Sequence, residues 1–333
     1  MARASSKATI IDVAQRAGVS LSTVSRVMNG NPSVDATLAE RVRGVATELG
    51  YTASPLARSL VLGRTQTVAV VVPDLGNPTF QAVLRGLSRA ASADGYHVLI
   101  ADSAEQVSEE AVLAIATRRR TDALVLVAPR MPDDELAELL GEVRPAVLVN
   151  RVGDASTATV TADYGTPLRA LAQHLHDLGH RRIAYLAGVA RSASNSARLA
   201  ALAAFRAEHP ETSVIELPSG VDFDSGAAAA DTVVDSGATA VLAFNDLVAM
   251  GLLSSVTARG IRVPEDLSIA GFDDIPFARY TSPPLTTAAV PAEDLGTSAW
   301  RAVHAALTEQ DAPDSVRLEP RLILRGSTGP APA

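Results

Sequence analysis

Hydrophobic positions follow two different periods along the chain. Within residues 10–49 they recur at helical spacing in three short stretches, at Ile10, Val13, Ala14 and Ala17, at Val24 and Val27, and at Leu38, Val42, Val45 and Leu49. Thr9, Ser20 and Asp35 precede these stretches as N-caps, and Gly18 and the breaker-rich residues 29–32 separate them. The pattern predicts three short helices over residues 10–17, 21–28 and 36–49.

From residue 67 onward, short runs that are apolar almost throughout alternate with amphipathic stretches. The apolar runs are TVAVVVP, HVLIAD, DALVLVA, PAVLVN, RIAYLAG, AVLAFN and LSIAGF. Strands buried on both faces of a parallel sheet have this composition, so the alternation predicts a doubly wound α/β architecture. Because the series is too long for one six-stranded sheet, we expect two lobes, with a division near residues 160–165 and a return crossing near residue 290.

Composition narrows the class of protein. The 333 residues are 47% hydrophobic and 20% charged, which is ordinary for a globular chain. No apolar run approaches the roughly 18–20 residues that span a bilayer, and the N-terminus lacks an export signal. We therefore expect a cytoplasmic protein without membrane contact. The absence of cysteine excludes disulfides, thiolate catalysis and cysteine metal sites.

Charge is distributed unevenly. Residues 1–64 hold eight Arg and Lys against four Asp and Glu, whereas the remaining residues hold 21 against 33. A basic head on an acidic body favours contact between the head and a polyanion such as DNA. Chance also produces an imbalance of this size, so the charge alone leaves the question open.

Two short helices joined by a Gly-containing turn and braced by a third have the helix-turn-helix plan. The second helix of that plan enters the major groove of DNA with its N-terminal side chains toward the bases. The spacing by itself leaves a generic three-helix bundle equally open.

The residues themselves favour the DNA-binding alternative. IIDVAQRAGVSLSTVSRVMNG, followed by VDATLAERV and ELGYTASPLARSL, closely resembles the DNA-binding head of the lac-repressor/gal-repressor family of bacterial transcription factors. The resemblance implies that Leu21, Ser22 and Arg26 face the bases, and an arginine can bind guanine O6 and N7 in a bidentate manner. Ser20, Thr23, Ser25 and Asn29 match residues that cap the helix or touch phosphates. With the hinge described next, the implied DNA-contacting set is Thr9, Ser20, Leu21, Ser22, Thr23, Ser25, Arg26, Asn29, Arg58 and Leu60.

Residues 54–62, SPLARSLVL, are compatible with a short helix that has Pro55 in its first turn behind Ser54. A nine-residue helix is marginal in water and needs a partner. The resemblance implies a hinge helix that pairs with a second copy at the operator centre and inserts Leu60 between base pairs in the minor groove. The alternative is a solvated spacer whose Leu60 packs on the body.

Polar side chains follow several of the predicted strands. Because ligands of doubly wound sheets bind beyond the carboxyl ends of strands, these side chains are candidates for a small-molecule site. Asn and Asp at such turns are also common N-caps, which is the alternative for each one taken singly. Carboxylates and amides with one arginine and one aromatic suit a sugar-like molecule. The candidates are Asp74, Asn77, Phe80, Asn150, Arg151, Asp163, Arg198, Asn245, Asp246, Asp273 and Asp274.

The resemblance continues more loosely to about residue 325, through PDLGNPTF, NSARL, FNDLVAMG and RVPEDLSIAGFDDIPFARYTSPPLTT. This region is similar to the family's effector-binding core and to periplasmic sugar-binding proteins. The resemblance places Val221, with Phe223 as a near neighbour, where relatives often carry an aromatic that stacks on the ligand. The implied effector-binding set is Asp74, Asn77, Phe80, Asn150, Asp163, Arg198, Val221, Asn245 and Asp273.

Other chemistries find no support in the sequence. It contains no GxGxxG, GxxxxGK[ST], HExxH or GxSxG motif, so we expect neither an enzyme nor a bound cofactor. His174, His176 and His180 do not share a helix face, and a solvated helix end is the preferred interpretation over a metal site. Arg118, Arg119 and Arg120 end a helix, where their charge favours the helix dipole and solvent.

These observations together predict an α/β protein in four parts: a helix-turn-helix head (1–53), a hinge helix and linker (54–64), a two-lobed effector-binding and dimerisation body (65–326) and a flexible tail (327–333). The predicted function is a transcriptional repressor that binds a near-palindromic operator as a homodimer, with tetramers left open, under control of a sugar-like effector. A small-molecule sensor whose head does not bind DNA site-specifically is the alternative, followed by an enzyme on the same scaffold.

Overall fold

A computed structural model describes residues 8–28, 30, 33–52, 63–310 and 315–332. Contacts divide the chain into two units, residues 1–66 and 67–333. In the part of the chain that the structure describes, no helix is both long enough and apolar enough to cross a membrane. The two units are considered in turn.

The first unit contains the three helices predicted from the sequence, α1 (Ile10–Ala17), α2 (Leu21–Met28) and α3 (Ala36–Glu48). Thr9 and Asp35 cap α1 and α3 as expected, and Gly18 ends α1 in the left-handed conformation, with a φ of 64°. The left-handed conformation costs little free energy for glycine, so Gly18 allows the tight turn into α2.

The core of this unit consists of small side chains. Val13, Val24, Val27 and Val42 are at most 2% exposed, and buried alanines of α1 and α3 fill the rest of the core. On α3 the buried positions are Ala39, Val42 and Ala46. Of the predicted face, Val42 is therefore buried, whereas Leu38, Val45 and Leu49 stay partly exposed. Small residues at the contacts allow short helices to approach closely, so the larger side chains lie at the rim.

The second unit begins with one lobe in which strands and helices alternate. Its elements are β1 (Thr67–Val72), α4 (Pro78–Ala93), β2 (His97–Asp102), α5 (Val107–Arg118), β3 (Ala123–Val127), α6 (Asp133–Glu142), β4 (Ala146–Val149) and β5 (Ala158–Ala162).

A second lobe follows, and the chain then returns. The second lobe comprises α7 (Gly165–Asp177), β6 (Arg182–Ala187), α8 (Ala193–Glu208), β7 (Ser213–Pro218), α9 (Phe223–Ala228), α10 (Ala230–Asp235), β8 (Ala240–Ala243), α11 (Asp246–Ala258), β9 (Ser268–Ala270), a 3₁₀ turn (Ala278–Tyr280) and β10 (Thr287–Ala289). The last elements are α12 (Ala292–Leu307), β11 (Val316–Leu318) and β12 (Arg321–Ile323).

The first lobe is built on a parallel six-stranded sheet in the order β11-β5-β4-β3-β1-β2, and the second on a parallel four-stranded sheet in the order β7-β6-β8-β9. Alternate residues of β1 enter different hydrophobic clusters, Val68 and Val70 on one face and Ala69 and Val71 on the other. Helices therefore cover both faces of the sheet, as the nearly continuous apolar runs predicted.

The chain passes between the lobes three times. The passages after β5 and before α12 lie where the sequence indicated. A third passage was not predicted: β11 belongs to the first sheet, whereas β12 pairs antiparallel with β10. Three connecting segments therefore join the two lobes.

The prediction of a flexible tail is wrong for residues 327–332. Ser327 is fully buried, and its backbone and side chain hydrogen-bond to Ile269 of β9. The Ala331 N–H donates to the Leu178 carbonyl at 2.9 Å. Composition suggested a tail because Gly, Ser and Pro dominate this segment. Hydrogen bonds to the backbone of β9 and of Leu178, at the end of α7, hold it in place.

Helices α4 and α12 pack unusually closely. A Cβ atom added to Gly86 would lie 2.0 Å from the Glu293 carbonyl oxygen, and one added to Gly296 would lie 1.9 Å from that of Val83. The two glycines thus allow backbone-to-backbone contact. This contact fixes α12, which follows the second passage, onto the first lobe.

Candidate DNA-contacting surface and effector cavity

Helix α2 has one buried and one exposed face. Val24 and Val27 are buried, while Leu21, Ser22 and Arg26 are exposed. The Arg26 Nε atom donates to the Ser22 carbonyl oxygen at 3.4 Å. A guanidinium resting on its own helix in this way is free to extend toward a base.

Ser20 fixes the start of α2. Its Oγ atom accepts a hydrogen bond from the Thr23 backbone N–H at 3.1 Å and lies 2.8 Å from the Ser22 Oγ and 2.9 Å from the Thr23 Oγ1. An N-cap of this kind is typically worth about 1 kcal/mol. Thr23 and Ser25 are partly buried beside it.

Thr9 has a structural role of its own. Its hydroxyl and backbone N–H both donate to the Asp12 carboxylate, at 2.7 and 2.8 Å, in a capping box that holds the pKa of Asp12 below its usual value. Three predicted DNA contacts, Asn29, Arg58 and Leu60, lie outside the described residues, as does the predicted hinge over 54–62.

A cavity of about 40 Å³ lies between the two lobes of the second unit. The first lobe contributes Asn77, Thr79, Phe80, Ala128, Arg130 and Asn150. The second contributes Ser192, Ser194, Arg198, Val221, Phe244, Asn245 and Asp273, and Tyr164 lies at the passage between lobes. The cavity has room for about one water molecule, so the lobes lie close together around it.

Arg198, in the second turn of α8, is the most unusual residue of the cavity. It is 1% exposed, and its Nε and Nη1 atoms have no hydrogen-bond partner among the described residues. Three aromatic rings surround the guanidinium, with its central carbon 4.2, 4.5 and 4.7 Å from the ring centroids of Phe272, Phe244 and Tyr164. Cation–π attraction holds the charge, and the in-plane donors are left for another molecule.

Asp273 supplies the opposite charge. Its backbone adopts a φ of 109°, which an aspartate rarely does, and its Oδ2 atom accepts a hydrogen bond from the Thr79 hydroxyl at 2.9 Å. Burial raises the pKa of Asp273 to about 6, although Arg198 and the Thr79 hydrogen bond both act to lower it. The hydrogen bond from Thr79 joins the lobes directly across the cavity.

The three asparagines of the cavity also serve the fold. Asn77 caps α4, and Asn245 caps α11 while donating to the Val221 carbonyl at 2.8 Å. Asn150 donates to the Tyr164 hydroxyl at 2.7 Å and accepts from the Ala162 N–H. For Asn77 and Asn245 the capping interpretation and the binding interpretation are compatible, because a cap at the end of a strand also faces the cleft.

Comparison with known proteins agrees with this arrangement. Residues 9–54 match the model of bacterial regulatory proteins, lacI family, and residues 172–328 match that of a periplasmic binding protein-like domain. The transcriptional repressor CytR of Escherichia coli is 32% identical, over 98% of this chain and 97% of its own. The chain belongs to the LacI family.

Two solved structures extend the similarity to the fold. The lac repressor dimer bound to operator and an anti-inducer has a TM-score of 0.86 at 25% identity, covering 97% of this chain and 99% of its own. The transcriptional regulator CelR in complex with cellobiose has a TM-score of 0.71 at 30% identity, covering 96% and 99%. The family consists of transcription regulators, which confirms the expectation that this LacI-family chain is not an enzyme.

The structure places most of the predicted effector residues of this LacI-family protein at the cavity. Asn77, Phe80, Asn150, Arg198, Val221, Asn245 and Asp273 line it. Two do not. Asp74 is the first: it accepts from the Gly76 N–H at 2.6 Å in its own turn. Phe223, the near neighbour of Val221, is 44% exposed and also lies outside the cavity.

Asp163 is the second predicted residue that misses the cavity. It lines a neighbouring, more open cavity of about 470 Å³. There it accepts from the Gly165 and Thr166 N–H groups and pairs with Arg317 at 2.8 Å. The strand-end rule located it correctly at the sheet edge, but β11 brings Arg317 beside it and occupies its carboxylate.

Sequence reasoning missed several lining residues. Thr79, Ser192 and Ser194 carry hydroxyls that α4 and α8 present at their N-termini, and Phe244 directly precedes Asn245. Arg130 also lines the cavity. It pairs with Glu105, and burial lowers the pKa of Arg130 to about 10. Phe244 could have been predicted by extending the strand-end rule to the last apolar residue of each strand. No comparable feature of the sequence points to Arg130.

The histidine trio does not form a solvated helix end. His180 is fully buried, with hydrogen bonds to Thr239, Ser268 and the Gly329 carbonyl, and burial lowers the pKa of His180. His174 contacts Thr328, whereas His176 contacts Thr212. The packed C-terminal segment, which the sequence did not predict, accounts for the burial. Arg118 likewise donates to three backbone carbonyls and is not simply solvated.

Proposed function

We propose that this LacI-family regulator is an effector-controlled repressor that binds a near-palindromic operator as a homodimer. A sugar or sugar derivative, bound between the two lobes, controls the affinity for DNA. The buried Nε and Nη1 donors of Arg198 carry the proposal, because buried hydrogen-bond donors without an acceptor are costly unless a ligand supplies one.

The charges of the cavity favour a neutral polyhydroxylated ligand. Arg198 offers hydrogen-bond donors, and Asp273 offers an acceptor beyond the one that Thr79 occupies. A hydroxyl group can satisfy both, since it accepts from a guanidinium and donates to a carboxylate. A strongly anionic ligand would meet Asp273, and a cation would meet Arg198. Phe80 and Phe244 supply apolar surface for the C–H face of a sugar ring.

A ligand of that size also requires movement. A cavity of about 40 Å³ is smaller than a sugar, so the lobes or their side chains must separate for entry. The Thr79–Asp273 hydrogen bond is the direct contact that a ligand hydroxyl would replace. Replacing it changes the relation of the lobes, which is the route by which we expect the signal to reach the predicted hinge over residues 54–62.

The exposed face of α2 supports the DNA-binding half of the proposal. Leu21, Ser22 and Arg26 project from a helix whose opposite side is fixed by Val24 and Val27. A rigid helix with a free outer face fits the major groove. Because its partner is chromosomal DNA, we place the protein in the cytoplasm.

The test begins by selecting genomic fragments that the wild-type protein retains at moderate salt. A gel shift on the enriched fragment then measures affinity with and without a panel of monosaccharides, disaccharides and nucleosides. We expect one class to change operator affinity by about 5- to 150-fold, the usual range of allosteric coupling.

Two variants on the same helix sharpen the result. Arg198→Ala should bind the operator and ignore the effector, whereas Arg206→Ala, which removes an exposed arginine of α8, should respond like wild type. If no fragment is enriched, the small-molecule sensor is the better description. A normal response in Arg198→Ala would place the effector elsewhere.

A further inference from the structure

Three metal-ligating side chains meet at the ends of α7 and α8, away from the effector cavity. His176 lies in the last turn of α7, His209 caps the C-terminus of α8, and Glu211 follows in the loop before β7. The Glu211 Oε1 atom is 3.5 Å from the His176 Nε2 and 3.6 Å from the His209 Nδ1. All three ligating atoms lie within 4.8 Å of one another.

The hydrogen bonds of Gln173 determine which nitrogen of His209 is free. The Gln173 side-chain N–H donates to the Asp177 carboxylate at 2.8 Å, so its carbonyl oxygen faces the His209 Nε2 at 2.9 Å. A carbonyl oxygen only accepts, and Nε2 must therefore carry the proton. In the neutral ring this leaves the lone pair of Nδ1 directed at the Glu211 carboxylate.

His176 has a similar arrangement. Its Nδ1 atom is 2.8 Å from the Thr212 hydroxyl, which leaves Nε2 toward Glu211. When the Thr212 hydroxyl accepts from Nδ1, both imidazoles direct a lone pair at the Glu211 carboxylate, an arrangement that a cation between them stabilises. Metal-binding histidines commonly have their second nitrogen held by a hydrogen bond of this kind, which fixes the ring orientation.

The rings are held firmly and remain reachable. The centroids of His176 and His209 are 4.3 Å apart, and the centroid of Phe205 lies 4.6 Å from that of His209. The exposed fractions of the side chains rise from 13% for His176 to 21% for His209 and 51% for Glu211. An ion can therefore enter from the Glu211 side, where water completes the coordination.

The spacing suits a small divalent transition metal. Bonds of about 2.0–2.2 Å in tetrahedral geometry place ligand atoms roughly 3.3 Å apart. The two contacts to Glu211 need to close by only a few tenths of an ångström, whereas the ligating nitrogens of the two histidines, within 4.8 Å of each other, need to approach further. Imidazole with carboxylate is a ligand set for Zn²⁺ and related ions, whereas Mg²⁺ and Ca²⁺ prefer oxygen alone.

We propose that His176, His209 and Glu211 form a structural binding site for one divalent transition-metal ion of the Zn²⁺ class. The ion would join the ends of α7 and α8 to the loop before β7. Both helices begin at the effector cavity, and α8 carries Arg198. Their length of 13 and 16 residues places the ion on the order of 20 Å from the effector, so it acts on stability and not on recognition.

The experiment uses the full-length protein without a polyhistidine tag, stripped with a chelator and then dialysed. Calorimetric titration with Zn²⁺ should give one ion per chain. Thermal unfolding at a free Zn²⁺ concentration about 100 times Kd should show a Tm higher by on the order of 5 °C. Absorption of the Co²⁺-substituted protein reports whether the coordination is tetrahedral.

Matched variants separate this site from surface binding. Glu211→Gln and His209→Gln should each weaken Zn²⁺ binding at least about tenfold, and Thr212→Val should weaken it about tenfold or more by releasing His176. His97→Gln, which removes an exposed histidine of β2, should change nothing.

Two results would overturn the proposal. One is an affinity for Zn²⁺ that Glu211→Gln leaves intact. The other is a wild-type protein without saturable binding, in which case the three side chains form only an ion pair between protonated histidine and glutamate. Glu211 is half-exposed, so its isosteric variant will fold and keep the test decisive.

Discussion

Asp273 and Asp274 are adjacent aspartates for which the same substitution should have opposite effects on stability. Asp273 faces the effector cavity, and burial raises its pKa to about 6 from the ordinary 3.8. Asp274 instead pairs with Arg325 at 2.6 Å, with both side chains largely buried. We expect Asp273→Asn to stabilise the effector-free protein at pH 7.5 and Asp274→Asn to destabilise it.

The sign for Asp273 follows from proton linkage. A carboxyl group whose pKa is raised on folding binds its proton more tightly in the native state, so the native protein loses stability as the pH rises from 3.8 to about 6. Above pH 6 the loss is complete. A shift of about two pKa units corresponds to about 3 kcal/mol. Because Asp273 keeps some contact with solvent in the cavity, we expect about 1–2 kcal/mol.

The sign for Asp274 is the reverse. Removing one partner of a buried ion pair leaves Arg325 without its counter-charge, which costs about 3 kcal/mol or more when the pair is fully buried. At the partial exposure of this pair, we expect a loss of about 1–3 kcal/mol.

Thermal unfolding of wild type and both variants at pH 7.5 and pH 5 provides the assay. Asp273→Asn should raise the Tm by about 2–6 °C at pH 7.5 and by less at pH 5, where the native carboxyl is already mostly protonated. Asp274→Asn should lower the Tm at both values. The reasoning fails if Asp273→Asn lowers the Tm at pH 7.5, or if the two variants shift it in the same direction.

The remaining predictions concern recognition, coupling and packing. Arg26→Ala should reduce affinity for the operator by about 1–3 kcal/mol and relax preference at one symmetric pair of positions; an equal loss on random DNA would make it a phosphate contact. Leu60→Gly should weaken operator binding without changing the affinity of the effector for the DNA-free protein, and an unchanged operator affinity would reduce residues 54–62 to a tether. Effector affinity should fall by about tenfold for each pH unit below 6 as Asp273 becomes protonated, and a flat profile in calorimetry would exclude an ionised acceptor. Gly296→Ala should destabilise the protein by about 3 kcal/mol because its Cβ would meet the α4 backbone, whereas Gly141→Ala, with open space around it, should be neutral or stabilising in chemical denaturation.

Local rules predicted much of the fold and part of the cavity. The N-caps at Thr9 and Asp35 and the turn at Gly18 depend on atoms within a few residues, and the structure has them where the sequence indicated. The strand-end rule works for Asn245 and Asp273 for a related reason. In a parallel sheet all carboxyl ends lie at one edge, so the position along a strand already fixes the position in space.

The same reasoning could not decide what each polar side chain would meet. Asp163 and Asp273 both follow strands, yet β11 brings Arg317 to the first, and only the second reaches the cavity. The histidines follow the same principle. Sequence spacing grouped His176 with His174 and His180. In the folded chain His176 lies beside His209 and Glu211 instead.

Hydrophobic period and capping are local properties, so the periodic elements, the basic head, the two-lobed α/β body and the family resemblance could all be predicted from the residues. The third passage between the lobes, the burial of the C-terminal segment and the environment of Arg198 became visible only in the folded chain. The rings around that guanidinium come from Tyr164, Phe244 and Phe272, on three separate segments. The burial of a charged side chain and its partners depend on all the atoms within a few ångströms of it. Separation along the sequence does not predict which atoms those are.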